Sequence, residues 1–86
     1  MRRLVAKQLN GLASICQDRG KLKLSEVLYR LAMHSDSNWS VPWYNLGLLT
    51  KYAGRWEESL HFNRRAVELN PSDEAACWNL GIAATA

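Results

Sequence analysis

Shifting the sequence against itself by 34 residues places Leu12, Leu46 and Leu80 in one column and Ala13, Gly47 and Gly81 in the next. The same shift pairs Gly20 with Gly54, Leu22 with Trp56, Ala32 with Ala66 and Asn45 with Asn79. A fixed period of this length marks a chain of stacked units, each unable to bury its apolar face without a neighbour. The register divides the 86 residues into a first unit over 6–39, a second over 40–73 and, over 74–86, the first helix of an incomplete third. A chain this short makes one domain with a thin stability margin. Its hydrophobic share of 48% is that of a folded protein rather than a disordered one.

Glycine and proline set the punctuation within each unit. Gly20 and Gly54 fall where a first helix must end, because glycine tolerates the left-handed conformation that closes a helix. Pro42 suits the first turn of a third helix, where its missing amide has no intrahelical partner, and Ser40 is expected to cap that helix. Ser72 is expected to cap a last helix, with Asp73 and Glu74 favourably placed in its first turn. The pattern therefore predicts five helices, over about 4–18, 22–35, 41–53, 56–69 and 73–86. On the second, Leu24, Val27, Leu28, Leu31 and Ala32 recur at three- and four-residue spacing and read as core, as do Leu60, Ala66, Val67 and Leu69 on the fourth. Gly47 and Gly81 cost about 1 kcal/mol each in helix propensity, which implies a neighbouring helix too close for a side chain, with Ala13 in that role in the first unit.

The second unit fills out a known pattern. Trp43, Tyr44, Asn45, Leu46 and Gly47 open it, Ala66 sits near its end and Asn70-Pro71 closes it, which resembles the tetratricopeptide repeat (TPR) family. Against that family's pattern Thr50 stands for a tyrosine, Ser59 for an alanine and Asn63 for a phenylalanine, with Phe62 and Tyr52 nearby to compensate. The first unit carries Leu9 for the tryptophan and Ser37 for the proline. The resemblance implies an all-α, right-handed superhelix of helix-turn-helix repeats, an α-solenoid scaffold that binds protein rather than catalyses.

Little in the chain suggests other chemistry. No phosphate-binding glycine loop, HExxH, GxSxG or carboxylate-rich metal loop occurs, and neither His34 nor His61 has a nucleophile or further ligands at useful spacing, so no enzyme, cofactor or metal is expected. Cys16 and Cys77 show no metal-ligand or redox spacing and fit packing positions in a reducing cytoplasm. The net charge of +3 comes from scattered basic residues, which argues against nucleic acid as a partner. No run of apolar residues approaches the roughly 20 needed for a membrane span, and Lys7, Gln8 and Asn10 interrupt a secretory core.

The TPR resemblance assigns a concave groove to the first helix of each unit. It places Lys7, Asn10, Ser14, Gln17 and Asp18 there from the first unit, Val41, Tyr44, Leu48, Lys51 and Tyr52 from the second, and Ala75, Trp78, Ile82, Thr85 and Ala86 from the third. Tyr44, Leu48, Tyr52, Trp78 and Ile82 then form an apolar anchor for a peptide or helix, and Asn45 and Asn79 are placed to bond its backbone, an amide offering both donor and acceptor. The carboxylate clamp of heat-shock co-chaperones is not matched, since Asn10, Ser14, Ala75 and Asn79 stand where the clamp needs other residues. An RNA-binding repeat would need a basic groove, and only Lys7 and Lys51 supply one. The second reading is the N-terminal fragment of a larger TPR protein, with or without an enzyme domain, whose repeats pack internally or self-associate through the last helix into a homodimer.

Overall fold

The structure, a computed structural model, describes residues 1–72. These form four α-helices and no strand: α1 (Arg2–Asp18), α2 (Leu22–Ser35), α3 (Ser40–Tyr52) and α4 (Trp56–Leu69). All four lie within two residues of the positions read from the sequence. The expected fifth helix, with Asp73, Glu74 and Cys77, lies outside the described residues. Helix α1 packs on α2, α3 on α4, and α2 joins the two hairpins by packing on α3.

The two hairpins are built alike at the level of single hydrogen bonds. At the first turn Gly20 N–H donates to the Gln17 carbonyl and Lys21 N–H to that of Cys16, and at the second Gly54 donates to Lys51 and Arg55 to Thr50. Gly20 and Gly54 adopt φ of 79° and 77°, the left-handed region that a side chain disfavours. Trp39, not Ser40, occupies the cap position of α3, and no side chain caps that helix. Pro42 still falls in the first turn, where its missing amide has no intrahelical partner.

Within each hairpin a buried serine ties the helices together. The Ser25 hydroxyl on α2 donates to the Ala13 carbonyl on α1 at 2.8 Å, and 34 residues on the Ser59 hydroxyl donates to the Gly47 carbonyl at 2.8 Å. A hydroxyl reaches a helical carbonyl only where the backbones approach closely. At Gly47 the approach leaves no room, since a Cβ there would lie 2.6 Å from Cγ, Nδ2 and Oδ1 of Asn63. Asn63 in turn donates to the Ser59 carbonyl at 2.9 Å. Thr50, standing where the family pattern has tyrosine, is buried with its hydroxyl bonded back to the Leu46 carbonyl at 2.7 Å.

The hairpins meet through Ala13, Tyr29, Met33, Leu46, Leu49 and Phe62, with Leu28 and Trp43 at the edge. Phe62 therefore fills core volume as expected, whereas Tyr52 does not, being 74% exposed. The α2 stripe also departs from its periodicity: Leu24, Val27 and Leu31 are about half exposed, and only Ala32 is fully buried. Helix α2 turns Ser25, Tyr29 and Ala32 toward the interior, while Met33 enters the inter-hairpin core, so the aliphatic stripe lies on a side that no described element covers. On α4 the stripe fares better, with Ala66 buried and Leu60, Val67 and Leu69 half-buried.

Two alanine substitutions separate propensity from packing. Gly11, inside α1, has nothing within 4 Å of an added Cβ, so Gly11→Ala is expected to raise stability by up to about 1 kcal/mol in urea melts. Gly47→Ala is expected to lower it by about 1–2 kcal/mol, overpacking against Asn63 outweighing the same gain in propensity.

Candidate functional site

Helix α3 has two differently used sides. Leu46, Leu49 and Thr50 turn inward and are buried, while Val41, Tyr44, Asn45, Leu48 and Lys51, at three- and four-residue spacing, are half-buried along another side and Tyr52 is largely exposed. The six therefore share one side of α3, five of them being the positions that the TPR resemblance assigns to a groove. Leu48 and Tyr44 supply apolar surface with one phenolic hydroxyl, and Lys51 Nζ lies 5.1 Å from the Tyr52 ring centroid, a cation–π contact that holds both side chains together.

Helix α1 joins this face at two points. The Asn45 amide donates to Asn10 Oδ1 at 3.0 Å, so the two expected groove residues are one hydrogen-bonded unit spanning the hairpins. At the other end Gln17 and Tyr52 line a cleft with Leu22, Lys23, Glu26, Leu49, Ala53 and Arg55. Gln17 is fixed from α2 below, because the buried Tyr29 hydroxyl donates to its Oε1 at 2.8 Å. Burial pushes the Tyr29 phenol up in pKa, so it stays a neutral donor. Trp78, Asn79 and Ile82, the expected continuation of the face, lie outside the described residues.

The wall of that cleft is an ion network that sequence reasoning missed. Arg55, at the start of the second hairpin's return helix, donates to both oxygens of Glu26 on α2, at 2.7 and 2.9 Å, and also pairs with Glu58. Arg30 adds a contact to Glu26 at 3.0 Å. The Arg55 hydrogen bonds, with Arg30 adding to them, hold the Glu26 carboxyl well below its ordinary 4.5, at about 2. A separate pair, Arg3 to Asp36 at 2.5 Å, joins the start of α1 to the end of α2 and lowers the Asp36 carboxyl likewise.

The arrangement presents hydrogen-bonding groups beside apolar side chains. Among the described residues no three His, Cys, Asp or Glu side chains come together as metal ligands, and no helix is long and apolar enough to cross a membrane. Cys16 is a free, half-buried thiol on α1. No protein-family model matches the chain, and no curated protein matches its sequence significantly.

The Glu26 network has a definite pH signature. A carboxyl whose pKa falls on folding stabilises the protein above its unfolded value and loses that contribution as pH drops through the folded one. Glu26→Gln is expected to cost about 1 kcal/mol at neutral pH, solvent at the network's rim screening the rest, and the gap to the native chain is expected to close between pH 4.5 and about 2 in urea melts.

Proposed function

We propose that this chain is a tetratricopeptide-repeat module whose α3 face, with α1 beside it, holds an extended peptide or a partner helix without catalysing a reaction. The observation that carries the reading is the line of Tyr44, Leu48 and Tyr52 at four-residue steps along an accessible side of α3. Such spacing matches the side chains of a helix or strand laid against it. Aromatic and leucine side chains supply most of the binding energy in surfaces of this kind, at small cost in conformational freedom.

Asn45 sets the orientation. One amide hydrogen is committed to Asn10, which fixes the side chain and leaves its carbonyl oxygen and second hydrogen for a ligand backbone. One period on in the sequence, Trp78, Asn79 and Ile82 repeat Tyr44, Asn45 and Leu48 in kind. A reducing cytoplasm suits the free Cys16 thiol. The recurrence of turn and serine hydrogen bonds at the 34-residue period supports assignment to helix-turn-helix repeats of the TPR type.

Panning a displayed library of random dodecapeptides on the whole chain tests the reading. Enriched peptides are expected to lose about tenfold in affinity on Tyr44→Ala or Leu48→Asp, with unchanged thermal melts. Failure to enrich any peptide, or enriched peptides indifferent to both substitutions, would contradict it.

A further inference from the structure

The period that relates the two hairpins shows which surface of the first no described element covers. Leu46 and Leu49 on α3 are 0% and 6% exposed because the first hairpin lies on them, yet their column-mates on α1, Leu12 and Ile15, are 53% and 52% exposed. On the return helices Phe62 is buried against the first hairpin, and its column-mate Leu28 is only half-buried between the exposed Leu24 and Leu31. The first hairpin thus offers outward the same columns that the second offers inward, and it offers them as aliphatics.

Charge tells what the cover is made of. In the covered interface Arg55 pairs with Glu26 of the hairpin before it. Its column-mate Lys21 stands at the same place on the open face and has no ion pair among the described residues. The first 39 residues carry seven Lys and Arg against three Asp and Glu, and two of those acids, Glu26 and Asp36, are already paired. In the second unit Leu60 takes the column of Glu26, so the described end of a second copy stacked on this face would not place a carboxylate at that column for Lys21. Two copies meeting face to face would bring like charges together.

We infer that the open face of α1 and α2, built on Leu12, Ile15, Leu24 and Leu31, docks an α-helix of another protein that carries an apolar stripe and a carboxylate aligned to Lys21. This surface uses residues other than those of the groove. It follows from continuity with the interface between the hairpins, where a helix covers the same columns and a glutamate meets the same cation. The exposed leucines supply the desolvated centre and Lys21, with Arg19 beside the turn, selects the acidic flank.

The probes are two labelled helical peptides with identical leucine stripes, one flanked by glutamates and one by lysines, titrated against the whole chain by fluorescence anisotropy. The glutamate peptide is expected to bind about fivefold tighter, Lys21→Glu to reverse that order, and Leu31→Glu to weaken both by about tenfold. Lys21 and Leu31 are exposed, so thermal melts of both variants are expected to match the native chain; Leu24→Ser serves as a milder replacement should Leu31→Glu melt early. Equal binding of the peptides, no binding, or an order unmoved by Lys21→Glu would overturn the proposal. So would a concentration-dependent dimer abolished by Leu31→Glu, which would make a second copy the occupant, or capture of the chain by anionic vesicles with neither peptide bound.

Discussion

The close approach of the two helices in each hairpin, held by a serine hydroxyl on a facing carbonyl, is the constraint on which the rest of the structure depends. It requires a residue of minimal size at position 13 or 47, and the chain places alanine and glycine there. It fixes how far Tyr29 and Phe62 reach into the space between hairpins, and so how Leu46 and Leu49 are covered. The bonded serines add a directional element that apolar packing alone lacks, because a buried hydroxyl without its partner would cost more than the bond contributes.

From that joint the surface chemistry follows. Once α3 is seated by Leu46, Leu49 and Thr50, Tyr44, Leu48 and Tyr52 have no alternative but an outward face, and Asn45 comes within hydrogen-bond distance of Asn10. The Glu26–Arg55 bridge then sets the spacing at the cleft end, linking the return helix of one hairpin to the turn of the next. The Asn10–Asn45 bond and the bridge are both products of one hairpin laid on another. The uncovered columns of the first hairpin are the same construction seen from its other side.

Much of this was legible in the sequence where local chemistry decided it. Gly20 and Gly54 located the turns because their left-handed backbone excludes other residues, and Gly47 announced a tight contact because glycine inside a helix is otherwise unfavourable. The Ser25 and Ser59 pair shares a column at the same period and carried the joint's signature, but an alanine-to-serine departure reads as a defect until the carbonyl opposite is seen. Periodicity showed that Leu24, Val27 and Leu31 share a face and was silent on what covers it, which depends on a neighbouring unit rather than on the helix itself. Spacing showed that Tyr44, Leu48 and Tyr52 share a side of α3, and only the TPR resemblance made that side a site, whereas the Asn10–Asn45 bond and the bridge between residues 29 positions apart depend on how the hairpins stack.

The serine joint is most directly tested by urea melts of Ser25→Ala, Ser59→Ala and the double variant. Alanine is the better helix former and the residue the repeat pattern prefers at Ser59, so a joint of no consequence would leave stability unchanged or raise it. The expected result is a loss of about 0.5–1 kcal/mol per serine, near-additive because the two joints lie in separate hairpins. Stability equal to or above that of the native chain in all three would contradict the role given to these hydrogen bonds.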